Sequence, residues 1–249
     1  MNLPWAVTRR TLASMKHYGQ YCPIARTSEL LAERWTPIIV RNLLTGCRTF
    51  GELRAGAPGV SKALLAQRLG ALEAHGILAS EASRSGHGRV YVLTEKGRDL
   101  KAITDAMGAW GTRWLELQSH DIDALYVLWA TCQLVDLDRL PNEGLVVRFE
   151  LTDRPSDHFW MLLRQPRPEV CSSYPGRAED LLVRTDSETL ARWHLRHIDY
   201  AEATRSGRLR IEGPRTDAEA FVGSIRPSPF ANAGPAVTGT EQRGPRRSG

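Results

Sequence analysis

The feature that most constrains the fold is a helix signal followed at once by a hairpin signal. Ser61 can cap a helix in which leucines recur at spacings of four and three, so that one face is buried, and Gly76 ends it. Two strand patterns follow, residues 77–79 and 89–93, and a basic turn with two glycines, SRSGHGR, joins them. This order predicts a compact helical unit closed by a small antiparallel hairpin.

Helix 61–75 also carries polar side chains that a helix used only for packing does not need. Lys62 lies in the first turn, where free backbone N–H groups attract anions, and Gln67 and Arg68 can bind base edges or phosphates. The helix would lie in the major groove of DNA, and the turn would contact the backbone or the minor groove. The candidate DNA-binding residues are Ser61, Lys62, Gln67 and Arg68 on the helix, with Arg84, His87 and Arg89 on the wing formed by residues 83–89. Each alone is usually a solvated surface group, so the prediction depends on their order within one unit.

Further helix signals lie on both sides of this unit. Residues 24–34 read as a first helix, and Thr36 can cap a second, with Pro37 at its first helical position. Thr49 can cap a third short helix, and Thr94 can cap a longer one after the hairpin. This is the order of a winged helix-turn-helix, so the sequence predicts a mainly α N-terminal domain with a small β-hairpin wing.

The helix after the hairpin carries an apolar seam. Its apolar residues recur at spacings of 3, 4, 3, 4 and 3, an a/d pattern that favours packing on another helix. The seam residues are Leu100, Ile103, Met107, Trp110, Trp114 and Leu117. We expect them to form the interface of a homodimer, with packing inside one chain as the alternative.

From residue 142 the pattern changes to strands. Four strand patterns precede a helix that Ser187 is predicted to cap, and a second short helix and a last strand follow. Strands followed by helices suggest a C-terminal α+β domain. Residues 226–249 are rich in Pro, Gly, Ser and Thr and are predicted to be disordered.

The charge is distributed unevenly along the chain. Residues 1–120 carry a net charge of +7 and residues 121–225 a net charge of −5, while the remaining residues carry +3. A basic first half joined to an acidic second half suggests two domains and assigns a polyanionic partner to the first. The alternative is that the surface charge is simply uneven.

Several classes of protein receive no support from the sequence. The most apolar stretch, residues 122–135, is too short to span a bilayer, and residues 1–20 lack the apolar core of a signal peptide. The four cysteines show no CxxC spacing, and no nucleophile-elbow, P-loop or dinucleotide-binding motif is present. We therefore expect a cytoplasmic protein with reduced thiols that is not an enzyme, has no metal or cofactor and does not bind a membrane.

One cysteine and one pair of histidines are candidate chemical sites. Cys22 lies at a helix start near Arg26, a setting that can favour a thiolate and hence redox sensing, although an inert cysteine is the more frequent outcome. His194 and His197 form an H-x-x-H pair with Asp199 nearby, but without further ligands a surface or capping role is favoured over a metal site.

The N-terminal half resembles a known family. The resemblance is carried by Tyr21-Cys22-Pro23-Ile24, Trp35-Thr36, RTFGELR (48–54), PGVS (58–61), LLAQRL (64–69), LEAHG (72–76) and YVLTEKG (91–97). On these motifs, residues from Tyr21 to Leu117 are similar to the HxlR family of bacterial transcriptional regulators, relatives of MarR. It implies a homodimer that binds a double-stranded DNA operator, with the first helix and the helix after the wing at the interface. Relatives often have polar residues where Ala63 and Ala66 stand, so fewer base-reading side chains are present here.

The second half also carries recognisable motifs, in residues 180–190 and 203–213 and most clearly in Ser206-Gly207-Arg208-Leu209. On these residues it resembles the sterol carrier protein type 2-like domain. It implies a sheet covered by helices over an apolar cavity, and hence a hydrophobic small-molecule effector.

These expectations define five segments and one function. The segments are a flexible N-terminus (1–20), a winged helix-turn-helix domain (21–118), a connecting helix (119–141), a sterol carrier protein-like domain (142–225) and a disordered tail (226–249). The predicted function is a dimeric transcriptional regulator modulated by an apolar effector. The alternative is a lipid- or hydrophobe-binding protein whose winged helix mediates protein–protein contact.

Overall fold

A computed structural model of the chain describes residues 18–83, 88–115 and 122–231. The first half consists of helices and one hairpin. Its elements are α1 (Pro23–Leu31), α2 (Thr36–Leu44), α3 (Phe50–Ala55), α4 (Lys62–Ala74), β1 (Leu78–Ala82), β2 (Arg89–Leu93), α5 (Glu95–Arg98) and α6 (Lys101–Trp114). β1 and β2 pair antiparallel, with Leu78 opposite Leu93 and Ala82 opposite Arg89, as the strand patterns predicted.

The second half is an α+β unit built on a five-stranded sheet. Its elements are α7 (Ala124–Cys132), β3 (Leu145–Leu151), β4 (Arg154–Leu163), β5 (Glu169–Cys171), β6 (Leu181–Thr185), α8 (Ser187–His194), α9 (Tyr200–Arg205), β7 (Leu209–Glu212) and α10 (Arg215–Ser224). The strand order is β5-β4-β3-β6-β7, and every neighbouring pair is antiparallel except β3 with β6. β6 runs parallel to β3 because the chain, after β5 at one edge of the sheet, crosses over β4 and β3 before it enters β6.

Each half has its own core, and α7 contributes to both. Alternate residues of β3, among them Val147 and Phe149, are buried beneath α7, α8 and α10. Leu128 of α7 belongs to that second core, whereas its neighbour Trp129 packs into the core formed by α2, α3 and α4. The predicted connecting helix is thus a packed element shared by two cores.

Two helices begin one residue earlier than predicted, because the residue before the predicted cap is the N-cap. α2 begins at Thr36 itself, and its N-cap is Trp35, whose φ of 76° places it in the left-handed region. α8 begins at Ser187, and its cap is Asp186, whose carboxylate accepts from the backbone N–H of Thr189 at 2.7 Å. The other carboxylate oxygen of Asp186 accepts a hydrogen bond from the Thr189 hydroxyl. Because its two oxygens can accept at the same time, Asp186 is favoured over Ser187 as the N-cap.

The single long helix predicted after Thr94 is two helices in the structure, since α5 ends at Arg98 and α6 begins at Lys101. The caps at Thr49, Ser61 and Thr94 are confirmed, and Thr49 forms a full capping box with Glu52. Helix α10 was not predicted as a separate element. Among the described residues, no helix is both long enough and apolar enough to cross a membrane.

Candidate nucleic-acid interface

Helices α3 and α4 form a helix-turn-helix whose second helix presents an open outer face. The Ser61 hydroxyl accepts from the backbone N–H of Leu64 at 3.2 Å and so fixes the start of α4. Leu65, Leu69 and Leu72 are buried beneath the helix. The opposite face is exposed and carries Lys62, Ala63, Ala66, Gln67 and Gly70.

Lys62 and Gln67 are the two long polar side chains available on that face. Within the part of the chain that the structure describes, neither forms a hydrogen bond or an ion pair, and both are exposed. The methyl groups of Ala63 and Ala66 and the bare backbone of Gly70 lie beside them. A helix with such short side chains can approach a surface closely, so Lys62 and Gln67 would be the main polar contacts of this face.

Arg68 is placed differently from the prediction. Its Nη2 lies 2.5 Å from a carboxylate oxygen of Glu33, and its Nε donates to the carbonyl of Arg34 at 3.1 Å. Only 16% of its side chain is exposed. Arg68 therefore ties α4 to the turn between α1 and α2, because position i+6 from Lys62 lies toward the side of the helix rather than on its outer face.

The hairpin is fixed in position by the start of α3. The backbone N–H of Tyr91 donates to the carbonyl of Arg48 at 2.7 Å, and Thr49 forms a bridge with Val90. Arg89 is the first residue of β2, its side chain is more than half exposed, and its guanidinium lies 3.5 Å from Glu73 on α4. The other two predicted wing residues, Arg84 and His87, lie outside the described residues.

The apolar seam of α6 is exposed in the single chain. The exposed fractions of Ile103, Met107, Trp110 and Trp114 are 39%, 51%, 58% and 55%. Leu100 differs, since it is partly buried against the first core of its own chain, and Leu117 lies outside the described residues. Exposed apolar side chains at this spacing form a continuous patch, which is typical of a surface that another molecule covers.

Helix α1 extends this patch with apolar residues that do not belong to the predicted seam. Ile24 is 77% exposed, and a recess of about 460 Å³ between α1 and α6 is lined by Ile24, Leu31, Ile103 and Met107. Ile24 and Leu31 are seven residues apart and so share one stripe of α1. That spacing was the signal available in the sequence.

The cysteines have contrasting surroundings. Cys22 is the N-cap residue of α1 and is partly exposed, while the guanidinium of nearby Arg26 lies 3.7 Å from Glu29. Burial, with a further contribution from Glu52, raises the pKa of the Cys47 thiol to about 11, and burial raises the pKa of Cys132 as well. Cys22 is thus more accessible to a reagent than either of these two thiols.

The H-x-x-H pair lies at the C-terminal end of α8, which ends at His194, so His197 is not on the helix. His194 Nδ1 lies 2.9 Å from the hydroxyl of Thr131, and burial, followed by the charge of Arg196, lowers the pKa of His194 to about 4. Burial also lowers the pKa of His197. Within the described ranges, no group of three His, Cys, Asp or Glu residues is arranged to hold a metal ion.

The geometry and the comparisons with known proteins lead to the same class. A helix-turn-helix with an exposed second helix, closed by a hairpin, defines a winged helix-turn-helix protein of the DNA-binding type. Residues 30–119 match the HxlR-like helix-turn-helix family. This chain belongs to that family.

The relatives are named as transcriptional regulators. An uncharacterised HTH-type transcriptional regulator of Synechocystis sp. is 36% identical over 108 residues, which cover 43% of this chain and 80% of the relative. The HTH-type transcriptional regulator YodB of Bacillus subtilis is 34% identical over 97 residues, which cover 38% of this chain and 87% of YodB. The solved structure of YodB in its reduced form is 32% identical, covers 39% of this chain and 97% of that one, and superposes with a TM-score of 0.34.

Proposed function

We propose that this protein is a sequence-specific transcriptional regulator that binds a DNA operator as a homodimer. The observation that carries the proposal is the outer face of α4, where Lys62 and Gln67 are exposed and free of partners in the described structure. The face would lie in the major groove, and Arg89 with the rest of the wing would contact the backbone or the minor groove. The family supports this reading, because its relatives are HTH-type transcriptional regulators.

The dimer is proposed to form through α6 and α1. The exposed seam of Ile103, Met107, Trp110 and Trp114, extended by Ile24, would be covered by the same surface of a second chain. An isologous contact of this kind gives two-fold symmetry, and two α4 helices would then read two half-sites of one operator.

The second half is proposed to be a sterol carrier protein-like domain that responds to an apolar effector. Its sheet with helices on one face is consistent with that type of domain. In its core the rings of Phe149 and Trp193 each lie 6.4 Å from the ring of Phe221. Cys22 is proposed as a redox-sensitive thiol because it is partly exposed at the start of α1, whereas Cys47 and Cys132 are buried and burial raises the pKa of the partly exposed Cys171.

A band-shift assay tests the proposed function. The protein is expected to retard DNA from upstream of its own reading frame, and Lys62→Ala is expected to weaken this binding about tenfold through lost phosphate or base contact. The matched control is Arg215→Ala, which removes one exposed positive charge from α10 in the second half and should leave binding unchanged. Equal effects of the two variants would mean that net charge, rather than the α4 face, determines binding.

The wing is tested by the salt dependence of binding. Arg89→Ala is expected to weaken binding by a similar factor on operator and on unrelated DNA, and to reduce the slope of affinity against salt by about one ion. A change in sequence preference alone would assign Arg89 to base reading instead.

A further inference from the structure

A cleft of about 400 Å³ lies between the two halves of the chain. Gly51 and Ala55 of α3 form one wall, and Gln133, which follows α7, and Glu169 and Val170 of β5 form the other. The volume is within the ~300–1,000 Å³ typical of small-molecule sites. Since α3 is the first helix of the helix-turn-helix, one wall of the cleft belongs directly to the DNA-binding unit.

On one side of the cleft the two halves are packed tightly. The Trp129 ring lies so close to Gly56 that a Cβ added at Gly56 would be 2.7 Å from it. Arg41 on α2 donates to the Tyr126 hydroxyl at 2.7 Å and to the Gly56 carbonyl at 2.8 Å. These contacts hold α7 against α2 and α3.

On the other side a single arginine bridges the halves. Arg167 pairs with Glu52 and donates to the carbonyl of Gly46 at 3.0 Å. Burial would raise the pKa of Glu52, but bonds from the backbone N–H groups of Arg48 and Thr49 and the charge of Arg167 lower it overall. The bridge is thus an ion pair anchored in the capping box of α3, and a molecule in the cleft would lie between it and the packed side.

The charged group that remains unpaired among the described residues of the cleft is a carboxylate, while the amide of Gln133 can both donate and accept. Arg167 and Glu52 satisfy each other, whereas the carboxylate of Glu169 and the amide of Gln133 have no partner among the described residues. An anionic ligand would compete with Glu52 for Arg167 and would be repelled by the unpaired carboxylate of Glu169. A ligand with a protonated amine can instead pair with Glu169, and the walls of Trp129, Ala55 and Val170 suit a planar apolar body.

We infer that this cleft is the effector site and that it takes a small planar apolar amine. The inference deepens the proposed function and rests on it, because a bound amine is an effector only if the protein binds DNA. A ligand that fills the cleft bears on α3 from one side and on α7 and β5 from the other. It would change operator affinity to the extent that it binds the DNA-competent and DNA-incompetent arrangements with different affinities.

The test uses three probes with the same indole body and different side chains. Tryptamine carries an amine, tryptophol a hydroxyl and indole-3-acetate a carboxylate, and each is titrated calorimetrically into the full chain without DNA. Tryptamine is expected to bind about fivefold more tightly than tryptophol, and indole-3-acetate most weakly, as expected of one partly exposed ion pair. An equal affinity for all three, or no saturable binding of tryptamine, overturns the assignment.

Two variants locate the binding. Glu169→Gln should reduce the affinity for tryptamine to that for tryptophol, whereas Glu143→Gln, at an exposed glutamate outside the cleft, should not. Gly51→Leu should abolish binding, because no atom lies within 4 Å of a Cβ at Gly51 and the new side chain would occupy the cleft. Gly223→Leu is the control, an equally open helical glycine on α10. Tryptamine binding that survives Gly51→Leu overturns the inference.

A band-shift assay on the same samples separates the two proposals. Tryptamine is expected to change the operator affinity of the wild-type protein and of Gly223→Leu but not of Gly51→Leu. A protein that binds tryptamine in the cleft but never binds operator would contradict the proposed function and leave the site in place. A protein that binds operator with unchanged affinity at saturating tryptamine would overturn the effector role of the cleft.

Discussion

At the scale of single residues, Lys62 and Arg68 illustrate how two basic side chains of one helix differ in role. Lys62 points away from the protein, and Arg68 is held by Glu33 and the carbonyl of Arg34. The first is available to a ligand, and the second stabilises the contact of α4 with the turn after α1. Substitution of Arg68 should therefore lower the stability of the fold, whereas substitution of Lys62 should lower the affinity for DNA.

Arg68→Ala is expected to lower the free energy of unfolding by about 1–2 kcal/mol, because it removes a largely buried charged donor and leaves Glu33 without it. Lys62→Ala should change stability by less than about 0.5 kcal/mol. Urea unfolding measures both. Glu33→Gln should reproduce most of the effect of Arg68→Ala, and the double variant should be less than additive. An Arg68→Ala protein of unchanged stability that no longer binds operator would return Arg68 to the DNA interface.

His194 predicts a specific pH dependence of stability. Its pKa is lowered to about 4 by burial and then by Arg196, whereas in the unfolded chain it is near 6.5. Between these values the unfolded chain binds a proton that the folded chain does not, so stability falls as the pH drops from about 6.5 to about 4. The full effect is about 3 kcal/mol.

The measurement is urea unfolding at pH values across that range for the wild type and His194→Gln. Glutamine can keep a hydrogen bond to Thr131 but does not titrate, so the variant should lose this part of the slope. If the slope is unchanged, the titrating group lies elsewhere.

At the scale of elements, helix α6 is contacted by a segment from the far end of the described chain. A Cβ added at Gly108 would lie 2.2 Å from Cε1 of Phe230, so the ring of Phe230 rests directly on the backbone of α6. Ser228, two residues earlier, is buried, and the backbone N–H of Arg226 donates to the carbonyl of Leu134 at 2.9 Å. The segment after α10 thus fastens the second half to the helix that carries the apolar seam.

Gly108→Ala is expected to displace Phe230 and to bring no net gain in stability, although alanine favours a helix by about 1 kcal/mol over glycine. In a Phe230→Ala background the same change should stabilise the protein by about that amount, because nothing then occupies the space. Thermal unfolding of the four proteins gives the coupling. A gain of equal size in both backgrounds would show that Phe230 does not rest on Gly108 in solution.

At the scale of the whole molecule, the seam of α6 predicts a dimer on which DNA binding depends. The double variant Met107→Glu and Trp114→Glu places two charges on exposed apolar positions of one patch. It should give folded monomers, and operator affinity should fall roughly 100-fold, because two linked half-site contacts become one.

Light scattering gives the mass, and circular dichroism checks that the variant is folded. Tyr174→Glu is the control, since Tyr174 is an equally exposed aromatic residue in the second half and its substitution should leave a dimer. A double variant that is still dimeric would place the interface on another surface.

The sequence by itself determined the features that depend on neighbouring residues. The capping box of Thr49 and Glu52, the caps at Ser61 and Thr94, and the bounds of β2 follow from interactions over three or four residues or from a two-residue alternation. The order of these elements also predicted the winged helix-turn-helix, and the motifs within them carry the resemblance to the HxlR family. The caps of α2 and α8 were wrong by one residue, because Trp35 adopts a left-handed conformation and Asp186 competes with Ser187, and neither effect is visible in a pattern.

Only the tertiary structure decided which surfaces are free. The bond between Arg68 and Glu33 joins residues 35 positions apart, and the pair of Arg167 with Glu52 joins residues 115 apart. α7 reads as a uniformly apolar stretch, yet Leu128 lies in one core and Trp129 in the other. Such contacts depend on how complete elements pack, which local spacing does not encode. The sequence therefore predicted the DNA-binding unit. That Arg68 is bonded to Glu33, and that a cleft lies between the two halves, became known only from the packed structure.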